Sequence, residues 1–189
     1  MFESLEMLDR SLFLKINGLH SPLMDVVMWQ LSESWHTYVL IAACLYAFFK
    51  WEGRKKTLEI ALGIALAFAC TDFSSNLIKH GVQRYRPSHN LELQHAVHLV
   101  NDYRGGMFGF FSAHAANTMA ITGFVFCCLA TIRPRWRYAL FVYPVLVAYS
   151  RIYLGVHYPA DCLVGLAYGF LLGVLIYLIM NRFFFRTHA

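Results

Sequence analysis

The chain has 189 residues, of which 58% are hydrophobic and 14% charged, with a formal net charge of +5 and a mean hydropathy of +0.48. Soluble domains are about 45–50% apolar and about 25% charged, so this composition points to a bilayer. The positive residues sit in short clusters between apolar runs, and no segment is basic enough to form a nucleic-acid arm. The five cysteines (Cys44, Cys70, Cys127, Cys128, Cys162) lie in or beside apolar runs with no Cys-x-x-Cys pair. That pattern argues against a disulfide framework or a zinc site.

The first 20 residues carry Glu3, Glu6 and Asp9 and lack the basic start and long apolar centre of a cleavable signal peptide. Leu5, Leu8, Leu12 and Ile16 recur at helical spacing, with Glu6, Asp9 and Arg10 elsewhere on the helix. This fits an amphipathic helix in the membrane interface, or a helix packed into the bundle. Residues 1–33 are read as interfacial helices and 34–189 as a spanning bundle, together one domain.

Five spanning helices are predicted, at 36–51, 57–79, 113–132, 136–153 and 159–181. The first is short for a hydrocarbon core that needs about 20 residues. The fold expected is an all-α polytopic membrane bundle. Gly165, Gly169 and Gly173 repeat every four residues in the last helix, which suits close helix packing. Trp35, Trp51 and Trp136 fall near helix ends and read as interfacial anchors. Residues 80–112 form the longest connection, polar and rich in histidine (His80, His89, His95, His98). A connection of that length in a compact domain is usually functional or disordered.

Three polar clusters interrupt this apolar chain. Lys79 is followed after six residues by Arg86-Pro87; then comes Ser112-Ala113-His114; then Ser150-Arg151, five residues, His157, three residues and Asp161. With alternating spans all three reach one membrane face. The other face collects Arg54, Lys55 and Lys56, then Arg133, Arg135 and Arg137, then Arg182 and Arg186. Positive residues favour the cytoplasmic side, so the cluster face is expected to be extracytoplasmic.

Three cations at the ends of apolar segments call for an anion. Arg offers forked donors matched to phosphate oxygens, and Lys offers a point charge. Arg86 precedes proline and should be extended, which suits a loop side chain reaching inward. Lys79 follows Asp72 and Asn76 on one helical face, so a structural Lys79–Asp72 pair is the alternative. Ser112 and Ala113 stand where a loop enters a helix, and free N–H groups there bind phosphate; a plain Ser N-cap is the alternative. His157 and Asp161 are four apart at a helix start. A carboxylate so placed can fix the tautomer of the imidazole and leave its other nitrogen free to attack. The same two residues also fit a helix-start Asp near an interfacial His, and no third ligand accompanies them as a metal pair. His114 is the candidate general acid.

In this order the clusters resemble the type 2 phosphatidic acid phosphatase (PAP2) superfamily, whose pattern is Lys-x6-Arg-Pro, Pro-Ser-Gly-His and Ser-Arg-x5-His-x3-Asp. The first and third match in full. The second reads Phe111-Ser112-Ala113-His114, with Phe for Pro and Ala for Gly. The resemblance implies that His157 attacks phosphorus to form a phosphohistidine, Asp161 orients it, and His114 protonates the leaving group. It also implies that Lys79, Arg86, Ser112, Arg151 and the backbone near Ala113 hold the phosphate, with no metal or other cofactor. Ala113 puts the loop geometry in question, because Gly accepts a positive φ that Ala resists.

The segment Phe108–Asn117 also looks like small bacterial members that act on lipid A phosphates, undecaprenyl diphosphate or phosphatidylglycerophosphate. The expected protein is a phosphatase of the cytoplasmic (inner) membrane, acting on a lipid phosphate at the extracytoplasmic face. Lipid A phosphate and undecaprenyl diphosphate are the first candidates. Phosphatidylglycerophosphate or phosphatidic acid, and a non-catalytic phospholipid binder or transporter, are the alternatives. A vanadium haloperoxidase fits the anion clamp but not the five spans. The partners expected are the lipid substrate and the bilayer, with no nucleic acid; the oligomeric state is open.

Overall fold

The computed structural model describes residues 2–93, 95–130 and 135–185. Arg133 and Arg186, counted above among the cations of the far face, lie outside the described residues, as do Met1 and the end of the predicted 113–132 span.

Among the described residues six α-helices follow one another: α1 (Phe2–Asn17), α2 (Pro22–Ser32), α3 (Trp35–Val82), α4 (Ala113–Cys128), α5 (Val142–Tyr153) and α6 (Pro159–Met180). No strand occurs among the described residues; Tyr85 and Phe108 make one isolated bridge. The fold is the all-α membrane bundle expected.

The predicted spans 36–51 and 57–79 are the two arms of α3. Gly53 breaks it with φ 78° and ψ 179°, a conformation that costs glycine little. In a straight helix Ile41 and Ile64 would stand about 34 Å apart. They line the same cavity, so the arms fold back on one another. The second arm runs on to Val82, three residues beyond the predicted end. The stretch 136–153 is helical in two parts. Arg135–Phe141 is a 3-10 helix, and the α-helix starts at Val142, with Pro144 in its first turn where no N–H is needed.

The main core joins α3, α4 and α6 through Phe48, Ile60, Ile64, Phe124, Val125 and Ile176. α4 and α6 pack most extensively. A Cβ at Gly165, Gly169 or Gly173 would lie 2.7, 2.2 or 2.2 Å from the carbonyl oxygen of Ser112, Ala116 or Ala120. Glycine at these three positions brings the two helix starts, and so two of the polar clusters, side by side. The outward surface of the bundle is apolar, including Leu58, Leu62, Phe73 and Leu77 of α3 and Leu163, Leu171 and Leu175 of α6. That is the surface a helix bundle presents to lipid.

α1 packs through Phe13 and Asn17, both buried, and turns Leu5, Leu8 and Leu12 outward. An exposed leucine row opposite a packed face fits a helix at the membrane interface. At the far end of the bundle the turn at Gly53, the 3-10 segment and the end of α6 come together. Trp51 and Trp136 have centroids 6.2 Å apart, and Lys56 Nζ sits 3.3 Å over the Phe185 ring.

Candidate active site

The loop after α3 is ordered by its own contacts. Gln83 caps α3 in a left-handed conformation. Arg86 is extended before Pro87, as its position predicts (φ −67°, ψ 157°). Its N–H donates to Met107 O at 3.1 Å, and Gly109 N–H donates to Arg84 O at 2.8 Å. The loop thereby folds back along itself and aims Arg86 inward. Arg86 and Arg151 are both buried, at 8% and 3% exposure. Arg86 Nε donates to Phe108 O at 3.1 Å, while its Nη1 is buried without a partner. Arg151 projects from the last turn of α5. It donates through Nη1 to Ser32 Oγ and through Nη2 to Tyr103 Oη at 3.4 Å, and its Nε has no partner.

Lys79, Arg86, Arg151, His114 and His157 all lie within electrostatic reach of one another. Lys79 makes no ion pair with Asp72, whose carboxylate instead accepts from Asn76 at 3.2 Å and Asn117 at 3.3 Å. Ser112 occupies the N-cap of α4, but its hydroxyl does not cap the helix. Its N–H donates to Asp161 O at 3.0 Å, which pins the start of α4 to the start of α6. Ala113 opens α4 and is not among the positive-φ residues, so the site adopts its geometry without glycine there.

His157 precedes α6 rather than lying in it; Tyr158 is the N-cap and Pro159 the first helical residue. The cap turn still brings His157 Nδ1 to 3.5 Å from Asp161 Oδ2, and the imidazole also lies against the Gly109 backbone. Asp161 is fully buried, and its Oδ2 also accepts the Tyr158 N–H at 3.0 Å. Burial first, then the charges of Arg86, Arg151 and Lys79, holds the His157 imidazole well below its ordinary pKa, which favours its neutral form.

The loop histidines make other contacts. His80 Nδ1 pairs with Asn76 O and His89 Nε2 with Gly105 O, while His98 Nε2 meets both Asp25 oxygens at 3.0 and 3.1 Å. Sequence reasoning missed Arg84, Asp9, Ser32 and Tyr103. The signal for Arg84 was its place two residues before Arg86 in an extended stretch, which puts both side chains on one side.

His114, half-buried, stands at the junction of two cavities. One, of about 310 Å³, is polar and includes Ser32, Glu33, Tyr103 and Arg151. The other, about 450 Å³, is a mainly apolar cleft between the arms of α3, α4 and α5, lined by Ile41, Leu45, Ile64, Phe68 and Ile121 among others.

Buried cations with unpaired N–H groups, around two histidines and a carboxylate in a helical membrane bundle, define an anion-processing membrane protein. Comparison with known proteins agrees. The profile of the PAP2 superfamily matches residues 57–185. The chain is 35% identical over 195 residues to a lipid A 4'-phosphatase of Bacteroides thetaiotaomicron, covering 100% of this chain and 84% of that protein. It is 33% identical over 170 residues to a lipid A 4'-phosphatase of Porphyromonas gingivalis, covering 89% and 71%. Among solved structures it is similar to a phosphatidylglycerolphosphate phosphatase of Bacillus subtilis (TM-score 0.72, 21% identity, 95% of this chain and 88% of that one). It is also similar to Aquifex aeolicus LpxE (TM-score 0.60, 27% identity, 89% and 94%). The chain therefore belongs to the PAP2 superfamily and is a membrane phosphatase of that family.

Proposed function

We propose that the protein removes a phosphate from a lipid headgroup at the extracytoplasmic face, with lipid A phosphate as its leading substrate. The observation that carries this reading is the apolar cleft opening at His114 beside the cation pocket. Acyl chains occupy the cleft, and the phosphate enters among Lys79, Arg86, Ser112, Ala113 and Arg151. The two lipid A 4'-phosphatases named above, 33% and 35% identical to this chain, support lipid A over undecaprenyl diphosphate, phosphatidylglycerophosphate and phosphatidic acid. The cations gathered at the opposite end of the bundle, Arg54, Lys55, Lys56, Arg135, Arg137 and Arg182, support an extracytoplasmic site.

The chemistry is in-line displacement. With Nδ1 turned to Asp161, His157 Nε2 attacks phosphorus, a P–N bond forms and the P–O bond to the lipid breaks. His114 gives its proton to the leaving oxygen. It then takes one from water, which attacks the phosphohistidine, breaks the P–N bond and releases inorganic phosphate. The cations and the first-turn N–H groups of α4 stabilise the charge on the phosphoryl oxygens.

The test is phosphate release by purified, detergent-solubilised protein with EDTA present, offered lipid A, undecaprenyl diphosphate, phosphatidylglycerophosphate and phosphatidic acid. Release from lipid A that is lost in His157→Ala is expected. Release from another lipid alone would overturn the substrate. A folded protein inactive on all four would overturn the catalytic reading in favour of a phospholipid binder.

A further inference from the structure

Asp161 has no exposure, and a carboxylate in such a place takes up a proton unless something holds its charge. Protonated, it would be a much weaker acceptor for His157 Nδ1 and could no longer stabilise positive charge on the ring. The structure supplies a partner at a position the first motif leaves unspecified. Arg84 Nη1 donates to Asp161 Oδ1 at 2.7 Å, leaving Oδ2 for His157. Its Nη2 donates to Asp9 Oδ2 at 2.8 Å. The other Asp9 oxygen accepts the Ala160 N–H at 2.8 Å, one of the free donors in the first turn of α6. The Arg84 guanidinium carbon lies 4.2 Å from the centroid of the Tyr158 ring, which fixes the plane of the fork.

We infer that Arg84, held by Asp9 of the interfacial helix α1, is a positioning residue for the His157–Asp161 pair. It favours the ionised form of Asp161 and fixes which oxygen faces the imidazole. The inference rests on the proposed roles of His157 and Asp161. Burial by itself would lower the Arg84 pKa, but Asp161 and Asp9 outweigh it and raise it, as expected for a cation committed to two carboxylates. Through Asp9 the arrangement reaches α1, whose outward leucines face the membrane interface. The seating of that helix and the geometry of the reacting imidazole are mechanically joined.

The test uses Arg84→Gln, Arg84→Lys and Asp9→Asn, each confirmed folded by elution and thermal unfolding in detergent, with lipid A as substrate. Arg84→Gln is expected to lower kcat roughly 10–100-fold with KM within about threefold, the range for partners that orient catalytic groups. Without Arg84, Asp161 stays protonated to higher pH, so the acid limb of the kcat/KM profile moves up. Arg84→Lys restores the limb but not the full kcat. Asp9→Asn keeps the Arg84 charge but loosens its fork, so it is expected to lower kcat by less with the acid limb near wild type, and it carries the test if Arg84→Gln does not fold.

NMR of isotope-labelled histidine gives a readout that needs no turnover. With the His157 signal assigned by its loss in His157→Ala, the wild type is expected to show the Nδ1–H tautomer, and Arg84→Gln to lose that bias. A loss confined to KM would put Arg84 on the substrate and overturn the inference. So would an unchanged kcat and pH profile, or an unchanged tautomer. Inactivity of the wild type on every lipid would overturn the function proposed above, while the tautomer would still decide the role of Arg84.

Discussion

A single methyl group at Gly169 should test whether the site depends on how closely α4 and α6 approach. An alanine Cβ there would lie 2.2 Å from Ala116 O and 3.0 Å from Ala116 Cα. Both are backbone atoms, so no side chain can rotate out of the way. Restoring ordinary contact requires the helices to separate by about 1 Å, and overpacking of this kind costs about 1–3 kcal/mol. At roughly 2–4 °C per kcal/mol for a chain of this size, thermal unfolding should begin several degrees earlier.

The larger consequence is catalytic. α4 begins with Ser112, Ala113 and His114, and α6 carries Asp161 in its first turn. A displacement of about 1 Å between reacting groups can cost about 100-fold in rate. Gly169→Ala is therefore expected to lower phosphate release from lipid A by 10-fold or more, measured below its own unfolding temperature. Gly81→Ala is the control: nothing lies within 4 Å of a Cβ there, and it should leave both quantities near wild type. A Gly169→Ala protein with wild-type unfolding and turnover would refute the reasoning, because α4 and α6 would then have room that the structure denies them.

Two further outcomes follow from the site. His157 is held below its ordinary pKa near 6.5, so it stays neutral as pH falls through that value, and the limb of kcat/KM that it sets should lie lower. Arg86→Gln removes one of the charges responsible and should move that limb to higher pH, besides raising KM; a limb that stays in place would contradict the assigned cause. Ala65→Trp places an indole in the apolar cleft. It should raise KM for long-chain lipid phosphates severalfold while sparing hydrolysis of a short, soluble phosphate ester, and equal losses on both would remove the cleft from substrate binding.

The three clusters were legible because polar residues are scarce in this chain, and each one inside an apolar run requires a reason. Local backbone geometry was less legible. Gly81 offers the obvious end for the second arm of α3, yet the helix passes through it and stops at Gln83 in a left-handed conformation that sequence rules would give to glycine. The break at Gly53 falls between the predicted spans 36–51 and 57–79, where the charges mark a polar turn but not how tightly the arms fold back. Ala113 raised a doubt about loop strain because the family pattern has Gly; as the first residue of α4 it needs only ordinary helical angles. Ser112 stands at a helix start as expected, and the alternative of a plain N-cap fails because its hydroxyl is not used for capping. Arg84 and Asp9 escaped notice because 75 residues separate them, and only the folded chain shows a charge shared between them.

The cation pocket is built in advance of its ligand. Arg86 is held by Phe108 O, and Arg151 by Ser32 and Tyr103, so neither guanidinium has to be ordered when an anion arrives. Each keeps a buried nitrogen without a partner, and an unpaired charged donor in that setting is costly. An anion that satisfies these donors recovers that cost, and it recovers most where negative charge is greatest. Under the proposed mechanism that point is the phosphoryl group in transit between the lipid oxygen and His157, with charge spread over three equatorial oxygens. Asp161 offsets less of this field than a lone carboxylate would, because Arg84 pairs with its Oδ1. A phosphodiester presents one charge fewer and an extra ester group to the same donors. On the proposed mechanism the pocket would accordingly select a terminal phosphate, and the cleft at His114 would select which lipid carries it.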